Sequence, residues 1–140
     1  MSTDKKTLAW YNKNASVYTN HVRDPKQSYY HGYYEKPAMY DLVPKLKNKT
    51  VLSLGCGSGE DSNHLKKLGA RSSMGIDLSR SLINIAKQSY TNCEFRVMNM
   101  EKLNFPKASF DFVYSSLAIH YLKDWSKVFE GVYKVLKPKS

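Results

Sequence analysis

The chain has 140 residues, 41% of them apolar, and a formal charge of +10 at pH 7. That length supports one compact core, no apolar run nears the ~20 residues of a membrane-spanning helix, and nothing apolar follows Met1-Ser2-Thr3-Asp4-Lys5-Lys6 as a signal peptide would require. Cys56 and Cys93 lack CxxC spacing, which excludes a disulfide or zinc framework, fits a cytoplasmic setting and leaves both as small packing residues.

Leu8, Tyr11, Ala15, Tyr18 and Val22 recur at intervals of three and four, so one amphipathic helix is predicted over residues 5–22, ended by Pro25. A tyrosine-dense segment, Tyr29-Tyr30-His31-Gly32-Tyr33-Tyr34, follows. A second helix is predicted from near Lys36 or Pro37 to before Pro44, with proline in its first turn. Lys45 to Lys49 reads as a basic loop. From Thr50 the pattern alternates. Strands are predicted at Thr50–Leu54, Ser72–Asp77, Glu94–Met98 and Phe110–Ser115, the last so apolar that a central position is expected. Helices are predicted at Glu60–Leu68, closed by Gly69, and after the cap Ser79, with Leu82, Ile83, Ile85 and Ala86 as apolar residues. A last helix after Asp124 would bury Trp125, Val128, Phe129, Val132 and Leu136, and Pro138 stops it. Such an order implies an α/β fold with a parallel sheet and helices on its faces.

The first strand runs into Gly55-Cys56-Gly57-Ser58-Gly59-Glu60. Glycines there allow a sharp turn and leave no Cβ between the main chain and a ligand, and such a turn is where open α/β sheets hold nucleotide-like ligands. Asp77, at the end of the second strand, is placed to accept hydrogen bonds from both hydroxyls of a ribose; capping the next helix is the plainer role, and Ser79 already fills it. The spacing is GxGxG rather than GxGxxG. Glu60 and Asp61 then open the helix, where the helix dipole stabilises them and they repel a pyrophosphate. A ligand carrying a sulfonium and an ammonium suits that turn better than a dinucleotide.

In these motifs the sequence resembles the class I S-adenosylmethionine-dependent methyltransferases, in particular the small-molecule branch that includes ubiquinone- and biotin-pathway enzymes. The resemblance runs from about Trp10 to Lys137. Val51 to Glu60 resembles the glycine motif, Gly75-Ile76-Asp77-Leu78-Ser79 the ribose motif, Asn99 to Pro106 the adenine loop, Phe110 to Ser116 the fourth strand, and Val135-Leu136-Lys137-Pro138 the end of the helix after it. Trp10 to Tyr18 is similar to the helix these enzymes lay over the cofactor. The resemblance implies a Rossmann-like core at 50–140 preceded by an N-terminal helical lid at 1–49. It implies S-adenosylmethionine as cofactor, with Gly55, Cys56 and Gly57 at its methionine end, Asp77 on the ribose, Leu78, Asn99 and Met100 around the adenine, and the Ser115 carbonyl on the ammonium. Tyr11 and Tyr18 would sit near the methyl and carboxylate ends, where their rings stabilise a sulfonium by ~0.5–2 kcal/mol. His120 would face the methyl acceptor as a base, with Tyr18 as its catalytic partner; a rim residue is the plainer reading of His120. No metal is expected.

The sequence departs from that family twice. Asn99 stands where the family more often has Asp, so a neutral hydrogen bond (~0.5–1.5 kcal/mol) replaces a charged one (~1.5–3 kcal/mol). The family also continues past the proline with further strands, whereas this sequence stops at Ser140. Without a fifth strand, the edge of the fourth is open to association, a route to a homo-oligomer. The expected function is methyl transfer to a small-molecule acceptor. A non-catalytic S-adenosylmethionine-binding module or fragment stays open, as does an RNA-directed methyltransferase, which rests on the charge alone. The lysines are scattered, which favours a solvated surface over a polyanion footprint.

Overall fold

The computed structural model describes residues 4–24, 26, 34–116 and 122–138. Three helices precede the sheet: α1 (Lys5–Lys13), α2 (Ala15–Arg23) and α3 (Lys36–Asp41). Then come β1 (Thr50–Leu54), α4 (Glu60–Lys67), β2 (Ser72–Asp77), α5 (Arg80–Ser89), β3 (Glu94–Val97), β4 (Phe112–Ser115) and α6 (Ser126–Val135). The strands form one parallel sheet in the order β3-β2-β1-β4. Its register sets Leu54 opposite Ile76 on one side and Ser115 on the other.

β1 and β2 have the predicted bounds because each is a buried run between turn signals. Val51, Leu52 and Ile76 are wholly buried. Alternation along the strands sends Leu52, Leu54, Met74 and Ile76 to a cluster with Phe110, Val128 and Val135, and sends Val51 to the opposite cluster with Leu46, Leu65 and Tyr114. A third cluster, Cys56, Ile83, Ala86 and Phe95, closes the space beneath the glycine loop.

Three expectations need correction. The single helix over 5–22 is two helices. Asn14 breaks it: its backbone N–H and its Nδ2 both donate to the Trp10 carbonyl at 2.9 Å, the local competition that makes short amides poor helix-interior residues. β4 lies at the edge of the sheet, not its centre; among the described residues no strand pairs with its outer side, and an isolated bridge joins Phe110, just before it, to Leu136. On α6, the buried face is Val128 and Val135 with Val132 packed beside them, while Trp125 and Phe129 are 45% and 56% exposed. Val128 and Val132 of the predicted stripe are kept, Trp125 and Phe129 are lost from it, and Val135 joins it.

Candidate functional site

The carboxyl ends of β1, β2 and β4, roofed by α1, α2 and the start of α3, enclose a cavity of about 400 Å³. That lies within the range of small-molecule sites. Its floor is the loop after β1, Gly55 to Ser58, and the end of β2 with its loop, Asp77 to Ser79. Met98 and Met100 form one end wall and Glu35 with Ser116 the other; Tyr11 and Tyr18 close the roof.

Asp77 fixes the floor. Its Oδ2 accepts the Gly57 N–H at 2.9 Å and its Oδ1 accepts the Ser79 N–H at 2.9 Å. Gly57 reaches this bond at φ 55°, in the left-handed region. Burial pushes the Asp77 carboxyl up, while the amides of Ser79, Gly57 and Leu78 pull it down. Each oxygen keeps acceptor capacity toward the cavity. The third loop glycine does something else. A Cβ on Gly59 would lie 2.8 Å from Phe95 Cζ, so its missing side chain makes room for the core and not for a ligand. Gly75, in β2, is still tighter: a Cβ there would meet Ser62 Oγ at 2.7 Å, Phe95 Cδ1 at 2.8 Å and Cys56 Cβ at 2.9 Å. A glycine inside a strand marks such a close approach.

Glu60 and Asp61 are held, not free. The Arg23 guanidinium donates to Glu60 Oε1 and, at 3.0 Å, to Ser89 Oγ; it also lies over the Tyr90 ring. Lys36 Nζ reaches Asp61 Oδ2 at 2.7 Å, and the Tyr40 hydroxyl donates to Asp61 Oδ1 at 2.7 Å. From α1, Asn12 Oδ1 accepts the Ser79 hydroxyl at 2.6 Å. The acidic turn therefore ties α2 and α3 down over the cavity. Arg23, Lys36, Asn12 and Glu35 were not singled out from the sequence; their partners are distant in the chain, and no local pattern marks them.

Tyr11, Tyr18, Gly55, Cys56, Gly57, Asp77, Leu78 and Met100 all line the cavity. Tyr11 and Tyr18 meet edge to face, ring centres 5.2 Å apart. Burial raises the Cys56 thiol, so it stays protonated and packs. Asn99 and Ser115 do not line it; Met98 and Ser116 do. Asn99 Oδ1 instead accepts the Glu101 N–H at 2.9 Å. His120 and His31 lie outside the described residues. Among the described residues no group of three His, Cys, Asp or Glu could hold a metal, and no helix is long and apolar enough to cross a membrane.

A parallel sheet in this order, a glycine loop after β1 and a loop-bracing aspartate ending β2 define the α/β Rossmann-like fold of class I S-adenosylmethionine-dependent methyltransferases. Residues 52–140 match the family described as a methyltransferase domain, and the chain belongs to that family. It is 30% identical over 88 residues to malonyl-[acyl-carrier protein] O-methyltransferase of Yersinia pestis, covering 63% of this chain and 33% of that protein. The crystal structure of an S-adenosylmethionine-dependent methyltransferase from Mesorhizobium loti superposes with a TM-score of 0.72 at 33% identity, over 76% of this chain and 50% of that one. A Haemonchus contortus phosphoethanolamine N-methyltransferase, solved with phosphoethanolamine and S-adenosylhomocysteine, shares the fold with a TM-score of 0.80 at 18% identity, over 97% of this chain and 30% of that one. The chain spans less than half the length of the curated relatives it matches.

Proposed function

We propose that this chain is the cofactor-binding part of a methyltransferase that moves the methyl group of S-adenosylmethionine to a small-molecule acceptor. The observation that carries this is the Gly57–Asp77 bond at the floor of the cavity, where one side chain both shapes the glycine loop and faces the site. The cavity wall also suits the group. It holds four carboxylates, Glu35, Glu60, Asp61 and Asp77, against one lysine, Lys36, in a chain whose formal charge is +10. Such a wall favours a cation.

When bound, S-adenosylmethionine supplies a methyl group made electrophilic by its sulfonium. The protein supplies orientation and exclusion of water. Asp77 holds the ribose, Leu78 with Met98 and Met100 forms the apolar slot for the adenine, and Gly55, Cys56 and Gly57 present main chain to the methionine end. Residues 1–49 act as a lid over the core at 50–140, with the Tyr11 and Tyr18 rings against the transfer region. Tyr18 positions the acceptor there, and His120 is the proposed base where the acceptor must lose a proton. The two free cysteines suit a cytoplasmic setting, and the β4 edge is the proposed surface for self-association.

The relatives' names differ in what they print: malonyl-[acyl-carrier protein], phosphoethanolamine and ubiquinone biosynthesis. No single acceptor follows; what they share is a small acceptor group, free or carried on a protein. Titration calorimetry with S-adenosylmethionine and S-adenosylhomocysteine tests the binding step; micromolar binding of both is expected. Failure of both to bind would overturn the reading. A methyl-transfer assay on the longest available form of the protein then separates an enzyme from a binding module.

A further inference from the structure

Asn12 belongs to α1 and is not among the residues that line the cavity. Its amide oxygen nevertheless accepts two hydrogen bonds from the start of α5: the Ser79 hydroxyl at 2.6 Å and the Ser81 N–H at 3.3 Å. A backbone N–H can only donate, which sets the oxygen of the amide, not its nitrogen, toward α5. The cap of α5 is therefore shared. Ser79 Oγ takes the Leu82 N–H at 3.2 Å, as a capping serine does. Asn12 takes the Ser81 N–H, a second first-turn amide with no acceptor inside the helix.

The Ser79 hydroxyl carries this joint into the site. A hydroxyl has one proton and two lone pairs; capping uses a lone pair, and the proton goes to Asn12. Ser79 is 1% exposed and lines the cavity. Its backbone N–H reaches Asp77 Oδ1 at 2.9 Å, while Asp77 Oδ2 takes the Gly57 N–H. One line of hydrogen bonds thus runs from α1 through Ser79 and Asp77 to the glycine loop. Arg23 and Lys36 tie α2 and α3 to the acidic turn; Asn12 ties α1 to the cavity floor itself.

We infer that Asn12 is a positioning residue for the cofactor, which acts through Ser79 to couple the seating of α1 to the shape of the turn from Asp77 to Ser79. The inference rests on the proposed cofactor reading. α1 brings Thr7, Leu8 and Tyr11 to the cavity. Asn12 makes both of its bonds only when Ser79 and Ser81 stand in the arrangement that also sets Asp77 against Gly57. A ligand that holds this turn favours the seated α1, and the seated α1 favours the ligand, because such linkage is reciprocal. The turn faces the nucleoside half, which methyl donor and demethylated product have in common, so both respond alike.

Amide exchange and calorimetry on the full chain, with S-adenosylmethionine and S-adenosylhomocysteine as probes, read the coupling apart from folding. In the wild type, either probe should slow exchange both in α1, residues 5–13, and in residues 77–82. In Asn12→Ala both affinities should fall by the same factor, roughly fivefold; the probes should still protect residues 77–82 but no longer α1. Asn12→Asp keeps an acceptor oxygen beside the positive end of α5 and should keep the protection of α1. Combining Asn12→Ala with Ser79→Ala should bind within about twofold of Ser79→Ala alone, since the one acts through the other. Protection of α1 retained in Asn12→Ala, its loss in Asn12→Asp, or additive losses in the double variant would overturn the inference. If Asn12→Ala does not fold, Asn12→Ser, whose hydroxyl is too short to reach Ser79, takes its place with the same expected results. A wild type that binds neither probe would overturn the cofactor reading and this inference with it; one that binds without protecting α1 would overturn this inference alone.

Discussion

The Gly57 amide donates to Asp77 Oδ2 at 2.9 Å, so the aspartate expected to serve a ribose also holds the glycine loop in shape. This changes what its removal would do. Asp77→Ala deletes a ligand contact and also strips acceptors from the Gly57 and Ser79 amides, at ~1–3 kcal/mol for each group left unsatisfied. S-adenosylmethionine affinity should fall by at least about a hundredfold, and the denaturant midpoint should fall with it. Asp77→Asn keeps one oxygen but turns an NH₂ toward an amide donor, so it should lose affinity while unfolding less readily than the alanine variant. Unchanged calorimetric affinity in both variants would remove Asp77 from the site.

Gly75 gives a test of the packing beneath the loop. Its ideal Cβ would lie 2.7–2.9 Å from Ser62 Oγ, Phe95 Cδ1 and Cys56 Cβ, in the layer between β2, α4 and the glycine loop. Overpacking of this kind costs ~1–3 kcal/mol. Gly75→Ala should lower stability in urea unfolding by about that amount, with a loss of cofactor affinity as Cys56 is pushed into the cavity wall. A variant as stable as wild type would show that the layer relaxes freely.

The contrast between these two residues shows what the sequence could reveal. β1 and β2 were legible to the residue because their buried runs end at turn-forming residues, and Asp77 was legible from its place at a strand end. Asn14 was not: Leu8, Tyr11, Ala15, Tyr18 and Val22 keep helical spacing straight through the break, so periodicity cannot see it. Asn99 and Ser115 each lie one position from a residue that lines the cavity, Met98 or Met100 and Ser116. Motif spacing finds the loop or strand end, and backbone turning decides which side chain enters. On α6, Phe129 and Val128 are equally apolar neighbours, and only the packing against Phe110 and Leu122 selects Val128. The partners of Glu60 and Asp61 come from 37 and 25 residues away, a relation no local pattern carries.

Two aspartates with opposite shifts predict the acid response. The Thr50 amide first, then Lys137, holds the Asp111 carboxyl below its ordinary value. Its stabilisation is present above the unfolded carboxyl pKa of about 3.9 and is lost as pH falls through the lower folded value. Burial raises Asp77, so its contribution has the other sign, present below the unfolded pKa and lost as pH rises through the folded one. Thermal midpoints followed from pH 6 to pH 3 should therefore drop less steeply in Asp111→Asn than in wild type, and more steeply in Asp77→Asn. Parallel curves for all three proteins would contradict this assignment.

The proposed lid offers a test that separates closure from folding. Arg23 joins α2 to Glu60, Ser89 and the Tyr90 ring, yet its side chain is 33% exposed, and ion pairs in such settings contribute only ~0–1 kcal/mol to global stability. Arg23→Ala should thus leave the unfolding midpoint nearly unchanged. It frees α2 locally, so amide exchange in residues 15–23 should accelerate, and an unlatched lid should raise the S-adenosylmethionine dissociation constant by about three- to tenfold. High salt should mimic the effect in wild type and add little in the variant. The reciprocal exchange, Arg23→Glu with Glu60→Arg, restores the pair in reverse and should recover part of the affinity. If the double variant binds no better than Arg23→Ala, Arg23 acts through the Tyr90 ring and the Ser89 hydroxyl instead, and the acidic turn is not what fastens the lid.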